Sequence, residues 1–300
     1  MIRGGYAQRF EHINFPREEM RRVAINLAPT GPRQSFSSAQ LPSWSPEEME
    51  FVIWLLAQSG LDARCYRPET LQRRLPACLR RLRAQSIQHA REVLAQDPNA
   101  VAAATSAMLV GVTSFFRDPS VFEQLGQELR RTVEERGQGA YAWSIGCSEG
   151  AELYSLSMQL ADCGHLAGSY LLGTDCRVDA IEQARAANYD AALTRQVPAT
   201  FLSRYFERNG TCFRICQHLR QSVRWRVSSI LSEFESGLWD VIFFRNTALY
   251  LSPESVMALW PKLETALRPG GLLVLGRAER PYGAQRLRAI GPCLYRRQAR

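Results

Sequence analysis

The chain has 300 residues, of which 46% are apolar, so it can bury the core of one α/β domain together with a small accessory domain. Its 37 basic and 29 acidic residues give a net charge of +8 at pH 7, which favours a partner that carries negative charge. No apolar run reaches the length of a membrane span and the N-terminus lacks the apolar core of a signal peptide, so we expect a cytoplasmic protein without membrane insertion.

The N-terminal part of the chain is predicted to be helical. Residues 1–41 form an extension and linker, because the second half of that stretch is rich in Pro, Ser and Gln. Ser45 then begins a helix with a capping box, and Gly60 ends it. Further helical stretches follow up to about Leu109, so we predict a helical domain and its connection over residues 42–118.

The segment from Arg64 to Arg91 is strongly basic. It contains eight arginines and one acidic residue, Glu69, a local net charge of +7. An acidic partner is therefore expected to meet this segment, although a solvated basic helix face is the alternative. Pro76 lies inside the segment and is expected to break or kink its helix, because the proline ring cannot join the hydrogen-bond ladder.

From Tyr141 onward, short apolar runs alternate with amphipathic helices. The predicted strands lie near residues 141–146, 169–174, 222–230, 239–244 and 271–276. This alternation predicts a parallel, doubly wound sheet in residues 119–300, with a small insert at about 195–225. A helix is expected to begin at Ser252 and to end at Pro269–Gly271.

Two strand ends carry residues that suit a nucleoside-containing ligand. The first strand runs into a turn that contains Gly146, and a glycine there lets the backbone approach a ligand closely. The second strand ends at Asp175, whose carboxylate can accept hydrogen bonds from ribose hydroxyls. The pair favours a nucleoside-containing cofactor over a plain surface turn, but it does not identify the cofactor.

Two further segments place polar residues where such a sheet binds ligands. Residues 245–250 follow the buried strand at 239–244, at the edge where doubly wound sheets form their crevice. Residues 113–119 read Thr-Ser-Phe-Phe-Arg-Asp-Pro, in which Asp118 and Pro119 are expected to cap the next helix. Ordinary packing of the two phenylalanines beside an exposed arginine is the alternative.

The motifs together resemble one known family. They are Thr-Ser-Phe-Phe-Arg-Asp-Pro at 113–119, Gly-Cys-Ser at 146–148, and Asp-Val-Ile-Phe-Phe-Arg-Asn at 240–246 followed by Tyr250. In this order and spacing they resemble the chemotaxis receptor methyltransferases of the CheR type, which methylate glutamates on the cytoplasmic helices of chemoreceptors. The resemblance covers roughly residues 45–297.

The resemblance implies a fold, a cofactor and a set of site residues. The fold would be that of a class I S-adenosylmethionine-dependent methyltransferase, a Rossmann-like doubly wound sheet, and the product S-adenosylhomocysteine. The implied cofactor-binding residues are Thr113, Arg117, Gly146, Glu152, Asp175, Ser229, Ile230, Asn246 and Thr247. Arg117 and Tyr250 would border the transferring methyl as the catalytic residues.

The resemblance also implies a partner, the acidic cytoplasmic helices of a methyl-accepting chemoreceptor or a similar signalling protein. The residues expected to bind it are Arg73, Arg74, Arg80, Arg81 and Arg83. On this interpretation we do not expect nucleic acid to be the partner. The short loop at Asn209–Gly210 favours a member that does not bind a receptor tail peptide.

Four positions depart from the family pattern and mark a divergent member. Gly111 and Ser229 stand where asparagine is usual, Ala151 stands where glutamate is usual, and Arg277 stands where histidine is usual. Two alternatives therefore remain open. The chain could be a methyltransferase of the same fold with another acceptor, or a degenerate cofactor-binding regulator whose basic helix binds a partner.

The reaction requires little acid–base catalysis from the protein. A glutamate carboxylate, with an ordinary pKa of about 4.3, is already ionised at pH 7 and can attack a methyl sulfonium without a general base. The four histidines show no useful clustering, and the eight cysteines contain no Cys-x-x-Cys pair. We therefore expect reduced thiols, no metal site, and catalysis by positioning of the two reactants.

Overall fold

A computed structural model of the protein describes residues 44–109, 111 and 113–299. The extension and linker predicted over residues 1–41 lie outside this part of the chain. The described residues from Trp44 onward belong to one compact unit. Within the described residues, no helix is both long enough and apolar enough to cross a membrane.

The first helix confirms its sequence signals. Helix α1 (Pro46–Gln58) begins after Ser45, whose Oγ accepts a hydrogen bond from the Glu48 N–H at 3.1 Å. The Glu48 side chain accepts in turn from the Ser45 N–H at 2.9 Å, which completes the capping box. Gly60 follows the helix with a φ of +69°, in the left-handed region that glycine favours.

Three more helices complete the N-terminal region. They are α2 (Pro68–Arg81), α3 (Ile87–Gln96) and α4 (Ala100–Met108). Helix α2 continues through Pro76, so the expected break at that residue is wrong, whereas a kink there stays a prediction. Pro76 lies on the exposed side of the helix, while Leu71, Leu75 and Cys78 are buried on the other side. Burial of that apolar face outweighs the loss of one backbone hydrogen bond.

The rest of the described chain alternates strands and helices. Its strands are β1 (Tyr141–Ile145), β2 (Tyr170–Asp175), β3 (Asn188–Asp190), β4 (Phe206–Asn209), β5 (Cys212–Ile215), β6 (Val223–Val227), β7 (Trp239–Phe244), β8 (Leu267–Leu275), β9 (Leu287–Ala289) and β10 (Leu294–Arg297). Its helices are α5 (Pro119–Arg136), α6 (Ala151–Asp162), α7 (Val178–Ala186), α8 (Ala199–Tyr205), α9 (Gln217–Ser222) and α10 (Pro253–Ala266).

Seven of these strands form one sheet in the order β6–β2–β1–β7–β8–β10–β9. The strands from β6 to β8 are parallel, and β10 pairs antiparallel with both β8 and β9. The predicted doubly wound, mostly parallel sheet is confirmed. Strand order reverses beside β1, and this is the point at which such sheets open a ligand crevice.

Two boundaries differ from the sequence prediction. The insert carries a three-stranded antiparallel sheet, β3–β5–β4, and it begins at Asn188 rather than near residue 195. Helix α10 ends at Ala266, and β8 begins at Leu267, so Pro269 and Gly270 lie in the strand rather than at the helix end. The register between β7 and β8 shifts in this region, which accommodates a proline inside the sheet.

The core lies on both faces of the large sheet. Ile242 and Phe244 of β7 face the side that is covered by α1, α2, α3, α4 and α10, whereas Val241 and Phe243 face α5, α6 and the insert. The N-terminal helices therefore share a core with the sheet. A boundary between two domains near residue 118 stays a prediction.

Candidate cofactor and active site

A pocket of about 250 Å³ opens at the carboxyl ends of the central strands. Its walls come from the turns that follow β1, β2, β6 and β7, with Tyr66 and Leu109 of the N-terminal region on one side. Most of the site residues expected from the sequence line it together. These are Arg117, Gly146, Asp175, Ser229, Ile230, Asn246, Thr247 and Tyr250.

The turn after β1 requires glycine at position 146. Gly146 has a φ of +63°, and a Cβ atom added there would lie 2.5 Å from the Oγ1 of Thr247. The Thr247 hydroxyl donates a long hydrogen bond to the carbonyl of Ile145 at 3.4 Å. The turns after β1 and β7 can therefore approach each other this closely only with glycine at that position.

Asp175 lies at the end of β2, as expected, and it is buried. Its carboxylate accepts four hydrogen bonds. One comes from the Ser148 N–H at 2.9 Å, and three come from Arg177, through the backbone N–H at 3.0 Å, Nε at 3.0 Å and Nη2 at 3.1 Å. The carboxylate that suits ribose hydroxyls is therefore held by a neighbouring arginine.

The turn after β6 supplies the apolar wall of the pocket. Ile230 and Leu231 are half-buried there, and both line the pocket. The Ser229 hydroxyl accepts a hydrogen bond from the Leu231 N–H at 3.3 Å, which holds the turn in shape. This surface suits a flat, mostly apolar ring such as adenine.

Arg245 is a residue of the site that the sequence analysis did not assign. Its side chain is 2% exposed and forms ion pairs with Asp118 at 2.8 Å and Glu152 at 3.2 Å. It also donates to the backbone carbonyl of Arg117 at 3.0 Å. Arg245 therefore fixes, from the end of β7, the turn that carries Arg117 into the pocket.

This contact corrects the role expected of Asp118. Asp118 does precede α5, but its side chain makes no capping hydrogen bond, and its backbone is left-handed with a φ of +59°. The carboxylate instead accepts from Arg245 and from Arg277, whose Nε lies 2.7 Å away. Two arginines outcompete the free N–H groups of the helix for this carboxylate.

Two of the expected cofactor-binding residues lie outside the pocket lining. Glu152 accepts hydrogen bonds from the Ser144 hydroxyl at 3.0 Å and from Arg245. Burial raises the pKa of Glu152, and the charge of Arg245 opposes that effect. Thr113 is half-buried on the segment before α5. For both residues a direct contact with the cofactor stays a prediction.

Glu279 shapes the other side of the site. It is buried and accepts hydrogen bonds from the N–H groups of Asn246 at 2.8 Å, Ala248 at 2.9 Å and Gly276 at 2.7 Å. Asn246 itself has a left-handed φ of +57°. Burial raises the pKa of Glu279, and the backbone donors offset part of that effect. Glu279 thus holds the turn that presents Asn246 to the pocket.

The expected partner-binding arginines do not all face solvent. Arg73, Arg80, Arg81 and Arg83 are exposed, the first three on α2 and the last just after it. Arg74 is half-buried, and its Nε donates to the carbonyl of Ala107 at 2.9 Å, which ties α2 to α4. We therefore correct the assignment of Arg74 from a docking residue to a structural one.

The fold and the crevice define a class I S-adenosylmethionine-dependent methyltransferase, which confirms the predicted fold class. Residues 111–289 match the family profile described as "CheR methyltransferase, SAM binding domain". This match covers more than half of the chain, so the chain belongs to the CheR methyltransferase family and its cofactor is S-adenosylmethionine.

Two curated relatives have names that agree with that assignment. Chemotaxis protein methyltransferase 1 of Pseudomonas aeruginosa is 33% identical over 58% of this chain and 67% of its own length. The chemotaxis protein methyltransferase of Listeria monocytogenes is 24% identical over 80% of this chain and 92% of its own length. An uncharacterized 104.1 kDa protein in the hypE 3' region of Rhodobacter capsulatus is 30% identical over 78% of this chain, which spans only 25% of that relative.

The residues of the pocket fit this cofactor. The glycine turn at 146, the acidic end of β2 and the apolar wall at Ile230 match the needs of a nucleoside, except that Arg177 holds the acceptor positions of Asp175. Within the described residues, no group of three His, Cys, Asp or Glu side chains is arranged to hold a metal ion.

Proposed function

We propose that the chain transfers the methyl group of S-adenosylmethionine to glutamate carboxylates of a chemoreceptor or of a related acidic signalling protein. The observation that carries the proposal is the placement of Arg117. It lines the cofactor pocket on a turn that the buried Arg245 holds in place. A guanidinium carried on such a turn, beside the methyl donor, suits an acceptor that is a carboxylate.

The chemistry of the pocket supports a carboxylate acceptor. The cofactor supplies an electrophilic methyl group on a sulfonium. A glutamate is ionised at pH 7 and needs no proton removed, and none of the described histidines lines the pocket. We expect Arg117 to orient the carboxylate rather than to activate it, because tight binding would stabilise the ground state as much as the transition state. Tyr250 lines the same pocket, and we expect its side chain to help to position the reactants.

The acceptor protein is proposed to be acidic. The exposed arginines Arg73, Arg80, Arg81 and Arg83 form a basic surface on and just after α2, and relatives of similar sequence are named as chemotaxis methyltransferases. Strands β4 and β5 are joined by two residues, Gly210 and Thr211. This short hairpin favours recognition of the methylated helices without a receptor tail peptide.

The test compares Arg117→Met with wild type on an acidic chemoreceptor fragment. Loss of a charge-assisted hydrogen bond of about 1.5–3 kcal/mol should lower kcat/KM for the acceptor by about ten- to a hundredfold. Arg130→Met is the matched control, because Arg130 is exposed on α5 and does not line the pocket. An unchanged kcat/KM in folded Arg117→Met would contradict the proposal.

A further inference from the structure

Arg177 occupies the part of the cofactor pocket where ribose hydroxyls are expected to bind. Its side chain is 11% exposed and its guanidinium donates to both oxygens of Asp175, at 3.0 and 3.1 Å. The same Nη2 atom also donates to the Ser148 hydroxyl at 3.1 Å. Both Arg177 and Asp175 line the pocket. The ion pair is therefore part of the pocket wall.

The carboxylate has no acceptor position left in this arrangement. An ionised carboxylate offers about four lone-pair positions. Asp175 already accepts from Ser148 N–H, Arg177 N–H and two side-chain nitrogens of Arg177. Two of the four bonds come from the backbone and are fixed by the fold, whereas the other two depend on one rotatable side chain. A ribose hydroxyl can be accepted only if that side chain leaves.

Gly111 makes room for this arrangement. A Cβ atom built on Gly111 would overlap the guanidinium of Arg177. The departure noted at position 111, where the family usually has asparagine, is thus physically linked to Arg177. A larger residue at 111 would force the guanidinium to another position.

We propose that Arg177 is a specificity-determining residue of the cofactor pocket, whose guanidinium competes with the ribose hydroxyls for the carboxylate of Asp175. Each cofactor molecule that uses Asp175 has to displace an internal ion pair. The apparent dissociation constant is then raised by the inverse of the fraction of molecules in which Asp175 is open. The ribose hydroxyls therefore add little to affinity in this chain.

The experiment measures calorimetric binding of S-adenosylhomocysteine and of the same ligand without its two ribose hydroxyls. Wild type should bind the two ligands within about threefold of each other, because the hydroxyl contacts are offset by loss of the ion pair. Arg177→Met should bind S-adenosylhomocysteine about tenfold more tightly than wild type. Its affinity for the dideoxy ligand, which lacks the two ribose hydroxyls, should equal that of wild type. Arg130→Met, on the exposed side of α5, controls for the loss of one positive charge.

Gly111→Ala provides a second variant that retains Arg177 and displaces its guanidinium by overlap, so it should shift affinity in the same direction as Arg177→Met. The wild-type comparison of the two ligands needs no variant at all, so it decides the question even if both variants fold poorly. A wild-type preference of a hundredfold for the hydroxylated ligand would overturn the proposal. Weaker binding of both ligands by folded Arg177→Met would overturn it as well, since Arg177 would then hold the cofactor.

Discussion

Replacement of Arg245 by methionine should destabilise the protein more than any exposed arginine change. Arg245 is 2% exposed and is the partner of two carboxylates, Asp118 and Glu152, which are 18% and 14% exposed. Methionine fills a similar volume but leaves Glu152 without its paired cation and Asp118 with only the exposed Arg277. Breaking a buried pair in this way costs about 3–5 kcal/mol, because an uncompensated charge remains inside. The free energy of unfolding should fall by that amount.

The chain offers a matched control on the same carboxylate. Arg277 also pairs with Asp118, at 2.7 Å, but its side chain is 75% exposed. Arg277→Met should therefore cost no more than about 1 kcal/mol. Equilibrium unfolding in urea at pH 7 measures the free energy of unfolding of both variants. The dependence of that free energy on urea concentration should have the same slope in each protein, which checks two-state behaviour. Equal losses for Arg245→Met and Arg277→Met would refute the reasoning that burial of Arg245 holds the Arg117 turn.

Three further predictions concern docking, pH and the glycine turn. Arg80→Glu with Arg81→Glu should slow acceptor methylation and spare binding of S-adenosylhomocysteine. Added salt should slow wild type much more than this double variant, because the screening length is about 8 Å at physiological ionic strength; wild-type rates indifferent to salt would contradict docking by these arginines. Burial raises the pKa of Glu279, so its contribution to stability is complete below the unfolded pKa of about 4.3 and is lost as the pH rises through the higher folded pKa. Urea titrations should show that the free energy of unfolding of wild type rises relative to that of Glu279→Gln as the pH falls from about 7 to about 4. A difference between the two proteins that does not change with pH would contradict a raised pKa of Glu279. Gly146→Ala and Gly210→Ala both place alanine at a φ near +60° and each pays the conformational cost of about 1–2 kcal/mol, but only position 146 adds an overlap. Gly146→Ala should therefore lose more stability and also lose cofactor binding, and equal effects of the two changes would be evidence against a close approach of the two turns.

Local sequence signals predicted the elements well because those signals act within a few residues. The capping box at Ser45 and the buried run at Trp239–Phe244 each appear where expected, and the five predicted strands all exist. The carboxyl ends of parallel strands must share one edge of the sheet. This geometric rule alone was enough to bring Asp175 and Asn246 to one pocket.

Two of the errors concern side chains whose partners lie far away in the sequence. Arg74 lies in the basic segment, but its guanidinium donates to the carbonyl of Ala107, 33 residues away, and so is not part of the exposed basic surface. Asp118 stands at a helix start, but Arg245, 127 residues further along the chain, binds its carboxylate. No local pattern encodes such pairs. Arg177 is different. It lies only two residues after Asp175, so its contact with that carboxylate could have been predicted from the local sequence.

The central claim is that this chain methylates carboxylates on a protein. The most direct measurement uses S-adenosylmethionine with a labelled methyl group, the purified chain and a cytoplasmic chemoreceptor fragment, followed by mild alkali. Methyl esters release methanol under alkali, whereas methyl groups on nitrogen remain. We predict that the label enters the fragment, leaves it as methanol, and maps to glutamates before the alkali step. Label that survives alkali, or that never enters a folded fragment, would contradict the account.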